Sequence, residues 1–336
     1  MDKAVWQIAI VFAGSALGGT YLGGYEWLRF FTYFGSWGTL GIVLVSLGMG
    51  WFGYSLLTLC HRIGARSVHD LYLYLFGEAL ASSLSVVTHF LLIAYFGVMI
   101  SQLASNLIAD LSPLWFILFA ITISIVFIMR GWKWIVSGLA LSLAIGFLFF
   151  GLIFIEQFHV PIPSLGYQMN LNWLVHSLFY FGLHTLLCVV VTIPLAARAD
   201  GEQTILMGVG ISTGFFFLIT LLGQAILLAY WHDIHAAALP TKQILLQLIP
   251  MGDWLLALLS LIHGGLMIAI LCFALATPVA QRHDLQLAPL IMVILATLLF
   301  VALIPLAIPW SISAIASAVT YCGLLVLGRY IWKKQN

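Results

Sequence analysis

Residues 13–31 read AGSALGGTYLGGYEWLRFF, an apolar stretch in which glycine recurs at short intervals. Gly14, Gly18, Gly19, Gly23 and Gly24 fall within this stretch, and each glycine in a helix interior costs about 1 kcal/mol relative to alanine. Non-helical backbone at membrane depth persists only where it contacts protein or lines a cavity. The stretch therefore predicts an unwound segment in the first helix. The alternative interpretation is a face of small residues for close helix packing.

The composition around this stretch is that of a membrane protein. Of the 336 residues, 63% are hydrophobic and only 7% are charged, whereas soluble domains carry about 25% charged residues. The net charge of +1 argues against a nucleic-acid partner, because no basic patch is available to neutralise phosphates. The cysteines have no CxxC spacing and are interpreted as small buried hydrophobic residues. These are Cys60, Cys188, Cys272 and Cys322.

Ten apolar runs are long enough to cross a bilayer, since each crossing needs about 20 residues. The predicted spans are about 5–31, 36–59, 80–109, 113–129, 134–155, 172–196, 204–230, 253–276, 288–307 and 309–328. Residues 67–79 and about 232–251 are predicted as short interfacial stretches. The sequence thus predicts one all-α polytopic membrane domain over 1–336, with the lipid bilayer as its surroundings. Lys3 and the AGSA at 13–16 resemble a signal peptide, but the apolar sequence that follows favours a retained first span.

The basic residues predict the orientation of these spans, because Lys and Arg favour cytoplasmic loops. With ten spans and a cytoplasmic N-terminus, ten of the twelve basic residues fall on the inner side and only Arg29 and Lys242 on the outer side. The chain is therefore expected to span a cell membrane with both termini in the cytoplasm. The inner residues are Lys3, Arg62, Arg66, Arg130, Lys133, Arg198, Arg282, Arg329, Lys333 and Lys334.

Glu26 follows the glycine-rich stretch directly, with Arg29 three residues later. A charge at the centre of a bilayer costs about 3 kcal/mol on insertion scales. Glu26 therefore has two interpretations, a gating or proton-handling carboxylate at the mouth of a cavity or one half of an interfacial ion pair with Arg29.

The ten spans divide into two sets of five, about 5–155 and 172–328. Since five is odd, the second set must lie inverted relative to the first, as in transporters built from inverted repeats. Span six places His176, Tyr180 and His184 on one stripe, with Gly182 near its middle. By its position in the second half, span six is expected to be interrupted like span one.

The opening of the chain, GSALGGTYLGGYEWLRFFTYFGSWGTLG at residues 14–41, resembles that of the YkvI-like family of bacterial membrane proteins. The matching residues are Gly19, Gly23, Glu26, Phe30, Phe31, Gly35 and Gly38. Tyr25 stands where the family usually has Gln. The resemblance implies membership of the amino acid–polyamine–organocation superfamily and a LeuT-type fold. It also implies a central site between broken helices one and six, flanked by helices three and eight.

Such a site would draw polar and aromatic side chains from four spans. The residues expected to bind substrate are Gly18, Gly19, Thr20, Tyr21, Gly23, His89, Tyr95, Tyr180, Phe181, Gly182 and His184. The residues expected to act in coupling or gating are Glu26, Arg29 and His263. Sodium-coupled members of this fold place a Ser/Thr pair in helix eight, but no Ser or Thr lies between Ser260 and Thr277. Because hard cations need oxygen ligands, proton coupling is favoured over sodium.

The leading functional prediction is a secondary transporter of a small organic solute, such as an amino acid, that works by alternating access. The alternative is a receptor that binds a small solute without transporting it. An enzyme is not expected, because HExxH, GxSxG and paired intramembrane aspartates are missing from the sequence. No cofactor and no metal ion is expected.

Overall fold

A computed structural model describes residues 2–107, 111–160, 171–307 and 311–335. Within these ranges the chain forms fourteen α-helices and no strand. The helices are α1 Lys3–Leu17, α2 Tyr25–Phe30, α3 Ser36–Arg62, α4 Val68–Phe76, α5 Glu78–Leu107, α6 Pro113–Arg130, α7 Trp132–Glu156, α8 Asn172–Ala196, α9 Glu202–Ala229, α10 Trp231–Ile234, α11 Pro240–Leu248, α12 Gly252–His283, α13 Leu287–Ala307 and α14 Ser311–Gln335.

Nine helices of the described chain are long and apolar enough to cross a membrane, namely α3, α5, α6, α7, α8, α9, α12, α13 and α14. The protein is therefore a multi-pass membrane protein. Helix α1 is apolar but has only 15 residues, which at 1.5 Å per residue is about 22 Å long. Because the hydrocarbon core is about 30 Å thick, α1 would need the chain beyond its C-terminal end to complete a crossing.

The first helix breaks where the glycines predict. Helix α1 ends at Leu17, and Gly18 and Gly24 have φ values of 76° and 73°, which residues with a side chain rarely adopt. A 3₁₀ turn over Tyr21–Gly23 lies between them. The alternative interpretation, a face of small residues for close helix packing, also holds in part. A Cβ on Gly14 would lie only 2.8 Å from a Leu139 methyl group of α7. The glycines thus provide both the break and a close helix contact.

Span six is not interrupted, and this prediction was wrong. Helix α8 runs without a break over Asn172–Ala196. A Cβ on Gly182 would lie 3.1 Å from the Thr320 carbonyl oxygen, and a Cβ on Gly323 would collide with the Gly182 carbonyl oxygen. Gly182 is therefore needed for the close approach of α8 and α14. A single glycine that serves helix packing need not break the helix.

The other predicted spans match helices to within three residues at most ends. Helices α12 and α14 run further than expected, to His283 and Gln335. Apolar runs mark the bilayer, whereas a helix can continue into water, and basic residues in a last turn favour its extension. Residues 108–109 and 309–310 of the predicted spans lie outside the described residues. The two interfacial stretches contain α4 and the α10–α11 pair.

The most enclosed membrane helices are those expected at the centre. The buried share of the most apolar window is 78% for α8, 72% for α12 and 61% for α5, against 22% for α6. These three helices are spans six, eight and three of the prediction. Helix α1 packs against α8, α9 and α7, so its broken end lies inside the bundle.

Candidate functional site

Glu26 is the sole buried Asp, Glu, Lys or Arg side chain in the described part of the chain, with 5% of its surface exposed. It lies on α2, just after the helix break. The Tyr95 hydroxyl of α5 donates to Glu26 Oε1 at 2.7 Å. His184 Nε2 of α8 lies 3.2 Å from Glu26 Oε2, within ion-pair distance if the imidazole is protonated, but the two atoms are not aligned as a hydrogen bond. A buried carboxylate needs such partners, because an uncompensated buried charge costs several kcal/mol.

Both ring nitrogens of His184 face oxygen atoms that accept protons. Nδ1 lies 3.4 Å from the Ser15 carbonyl oxygen of α1, and Nε2 faces Glu26. The Tyr180 ring stacks on the imidazole at 4.0 Å between centroids. Since protonation states follow from hydrogen-bond partners rather than from coordinates, Nδ1 carries one hydrogen. The contact of Nε2 with Glu26 Oε2 is favourable only if one of these two atoms carries a hydrogen.

His263 has a different environment, although it was predicted to act in coupling with Glu26. Its Nε2 donates to the Gly18 carbonyl oxygen at 3.1 Å, and its Nδ1 lies 3.0 Å from the Ser142 hydroxyl, which can donate to it. The Tyr21 ring packs edge-on against it at 4.8 Å. A neutral imidazole satisfies both contacts. His263 therefore holds the carbonyl group that the helix break frees.

Aromatic side chains surround the break. Tyr21 lies 5.9 Å from Trp27 between ring centroids, and Trp27 lies 5.1 Å from Phe150. The Tyr21 hydroxyl is buried and has no hydrogen-bond partner among the described residues. The Thr20 hydroxyl lies 3.6 Å from the Met99 sulfur. The region thus combines apolar walls with an unused hydroxyl group.

Helix α11 covers the break. A Cβ on Gly23 would lie 2.9 Å from a Leu239 methyl group, and one on Gly24 would lie 2.7 Å from the Thr241 hydroxyl. Thr241 is buried, and its hydroxyl has no hydrogen-bond partner in the described ranges. A solute or water molecule that approaches Glu26 from the side covered by α11 can therefore reach it only if α11 moves.

The structure brings most of the predicted residues together around Glu26 and His263. A Cβ on Gly18 would lie 3.1 Å from the His184 ring, and one on Gly19 would lie 3.5 Å from the Phe96 ring. The predicted residues at the break and in its immediate surroundings are Gly18, Gly19, Thr20, Tyr21, Gly23, Tyr95, Tyr180 and His184.

Three predicted residues point elsewhere. Phe181 packs against Phe52 at 5.5 Å, and Gly182 contacts α14, because helix rotation carries both away from the stripe of Tyr180 and His184. His89 lines a separate pocket with His69 and other residues of α4, α5 and α12. By its spacing, His176 lies on the same helix stripe as Tyr180 and His184. Its ring packs against Phe34 instead, at 4.9 Å between ring centroids.

The predicted ion pair between Glu26 and Arg29 does not form. Arg29 is exposed, and its guanidinium lies 4.8 Å from the Tyr25 ring centroid. Burial of Glu26 against α5 and α8 separates the two charges. The interpretation of Glu26 as one half of an interfacial ion pair was therefore wrong.

Ser142 of α7 was not predicted from the sequence. Its hydroxyl contacts His263, whereas intramembrane serines such as Ser46 and Ser124 bond the carbonyl group four residues earlier in their own helix. Nothing in the local sequence distinguishes these cases. The Ser15 carbonyl oxygen near His184 was likewise unpredictable, because backbone atoms carry no sequence signal.

No protein-family model matches the chain. The chain is similar to the Bacillus subtilis protein named "Uncharacterized membrane protein YkvI", with 27% identity over 246 residues. The similarity covers 71% of this chain and 70% of the relative. It spans many more residues than the glycine-rich opening contains, and it supports a YkvI-like membrane protein.

Proposed function

We propose that the protein is a secondary transporter of a small organic solute, such as an amino acid, which couples solute movement to protons by alternating access. The observation that carries this proposal is the contact of Glu26 with Tyr95 and His184 beside a broken helix inside the membrane. Ionisable groups inside a membrane are expensive, and they typically mark substrate or ion pathways.

The proposed architecture is a LeuT-type bundle of ten crossings. The first crossing consists of α1, the break and α2, and the two inverted repeats cover about 5–155 and 172–328. The enclosure of α5, α8 and α12 supports this arrangement, since these are the helices expected around a central site. The proposed location is the bacterial cytoplasmic membrane, with both termini in the cytoplasm. Reporter fusions at the two termini test this orientation, and a signal from the outer side at either end contradicts it.

The contacts of helix α12 favour protons over sodium. In the proposed fold, a sodium ion would need carbonyl oxygens of the broken helix together with hydroxyl groups of helix eight. Here His263 of that helix donates directly to the Gly18 carbonyl oxygen. A neutral imidazole supplies no oxygen ligand for a hard cation. A proton carried by the pair of Glu26 and His184 is the proposed coupling ion.

In the proposed cycle, α11 and the outer part of the first helix move, and the Glu26–His184 pair becomes accessible from one side of the membrane. Gly18 and Gly24 provide the backbone freedom for this motion because both already adopt positive φ. The aromatic side chains and the free Tyr21 hydroxyl would contact the solute. Such a lining suits a small zwitterionic or neutral organic compound.

The test is transport in reconstituted vesicles that contain a pH-sensitive dye, with amino acids, nucleobases and amines supplied in turn. An active solute should acidify the vesicles and accumulate in them. Glu26→Gln should abolish proton entry, whereas Glu202→Gln on the exposed end of α9 should leave it unchanged. Ser142→Ala should also retain proton entry, since His263 anchors the break and is not part of the proton pathway.

Two outcomes contradict the proposal. A solute that binds saturably but never accumulates would favour the receptor alternative. Solute-driven proton entry that persists in both Glu26→Gln and His184→Gln would exclude a proton carried by this pair from coupling.

A further inference from the structure

A second polar site lies away from Glu26, at one end of the bundle where α3, α4 and α14 meet. It is a pocket of about 270 Å³. Its lining is polar and basic, and no acidic side chain is among the described residues that line it. The lining residues are Tyr54, Ser55, Thr58, Leu59, Arg62, Tyr74, Leu75, Tyr330, Lys333 and Lys334.

The basic side chains of this pocket leave positive charge that is not compensated. Arg62 forms two hydrogen bonds with Glu202, at 2.6 and 3.1 Å. Lys333 Nζ donates to the Tyr74 carbonyl oxygen and lies 3.8 Å from the centre of the Tyr74 ring, and neither contact neutralises it. With Lys334, three positive charges face one negative charge, so two positive charges remain.

Thr58 of α3 also lines the pocket, but its hydroxyl oxygen is shielded from solvent. A ligand in the pocket does not reach this hydroxyl group, so the basic side chains carry the recognition.

The surroundings of the pocket are those of a membrane interface. Tyr74 is 42% exposed and Trp332 is 52% exposed, and aromatic side chains of this kind collect at the level of lipid headgroups. Arg329 Nε donates to the Leu75 carbonyl oxygen at 2.8 Å, which joins the end of α14 to α4. The pocket is thus held between helices and lies beside exposed aromatic side chains, an arrangement typical of the level of lipid headgroups.

We propose that this pocket binds the phosphate group of an anionic phospholipid. Lys333 and Lys334 provide the positive charge and the N–H donors for the phosphate oxygens. Basic pockets between membrane helices recognise such headgroups through the same chemistry. The site is independent of the proposed transport function, because it shares no residue with the contacts of Glu26.

The experiment measures binding of short-chain phosphatidylglycerol and phosphatidylcholine to the delipidated full-length protein by native mass spectrometry. Lys333→Gln combined with Lys334→Gln should weaken phosphatidylglycerol binding roughly thirtyfold and leave phosphatidylcholine binding unchanged. The matched control combines Arg130→Gln with Lys133→Gln, which removes the same charge from the same predicted side and should have less than about a twofold effect.

Because Lys333 also joins α14 to α4, Lys334→Gln is tested separately, together with the unfolding temperature. This single variant should weaken phosphatidylglycerol binding about fivefold without destabilising the protein. Equal losses in the pocket and control variants would overturn the proposal, since binding would then be diffuse. Competition by inorganic phosphate at constant ionic strength distinguishes a lipid phosphate from free phosphate as the ligand of the pocket. Binding of free phosphate without binding of phosphatidylglycerol would overturn the assignment to lipid.

Discussion

Replacing Glu26 by glutamine separates the proposed proton-carrying role of this side chain from its structural role. The glutamine carbonyl can accept the Tyr95 hydroxyl, which donates to Oε1 at 2.7 Å. The amide can donate to Nε2 of a neutral His184, which lies 3.2 Å from Oε2. Nδ1 of His184 still donates to the Ser15 carbonyl oxygen. All partners are retained, so we expect the free energy of unfolding to fall by only about 1 kcal/mol, the difference between charge-assisted and neutral hydrogen bonds.

Glu26→Ala provides the reference for the structural role. It leaves the Tyr95 hydroxyl and His184 Nε2 without partners in a buried environment. Each such group costs about 1–3 kcal/mol, so the two together should cost about 2–6 kcal/mol. The alanine variant should therefore be clearly less stable than the glutamine variant, while both should lose solute-driven proton entry.

The assays are thermal unfolding of the purified protein in detergent and proton entry into reconstituted vesicles. The expected combination for Glu26→Gln is near-native stability with no proton entry. Equal destabilisation by glutamine and alanine would refute the reasoning, because His184 would then carry a fixed charge whose loss of a partner costs about 3–5 kcal/mol. A double-mutant cycle with His184→Gln measures the coupling between the two side chains directly.

Three further predictions concern stability and are measured by unfolding. Gly18→Ala should destabilise the protein by about 1–3 kcal/mol, because its backbone (φ 76°, ψ 173°) lies in a region that is essentially restricted to glycine. The control Gly214→Ala, with open space at its Cβ position, should be neutral or stabilising. A similar loss in both variants would contradict this explanation. Gly323→Ala should destabilise by about 1–3 kcal/mol through overpacking against the Gly182 carbonyl group, and a native melting temperature would show that α8 and α14 are not in close contact. Burial and the nearby Arg282 lower the pKa of His69 below its ordinary value of 6.5. As the pH falls, the unfolded chain therefore binds a proton at His69 before the folded protein does, and stability should fall as the pH drops below about 6.5. His69→Gln should reduce this loss of stability. An unchanged pH profile in the variant would argue against a contribution from His69.

Local sequence was enough to predict most of the helices. Apolar runs, prolines and charges determine where a helix can lie in a bilayer, and most predicted ends agree with the structure to within three residues. The break after Leu17 was also predictable, because two pairs of glycines weaken a helix wherever it lies. The break predicted for span six was wrong, because the role of Gly182 depends on Gly323 of a distant helix. A single glycine lowers the local stability of a helix by the same amount whether it breaks that helix or allows a second helix to pack closely.

The candidate site was predictable at the level of residue types. Intramembrane Glu26, His184 and Tyr95 are conspicuous in so apolar a chain, and the structure brings them together. His89 is equally conspicuous but lines a different pocket, since its position depends on the rotation of α5. Ser142 was missed because its partner lies on another helix.

The glycines, the low charge and the long apolar runs already made this chain a helical membrane protein with a broken first helix. Those properties are local, because they depend on backbone freedom and on the cost of placing each residue in lipid. The partner of Glu26 was decided only by tertiary packing. Arg29 lies three residues away, yet the carboxylate contacts Tyr95 and His184. The packing of α2 against α8 and α9 removes Glu26 from water and leaves Arg29 exposed. The buried carboxylate therefore takes the partners that are buried with it.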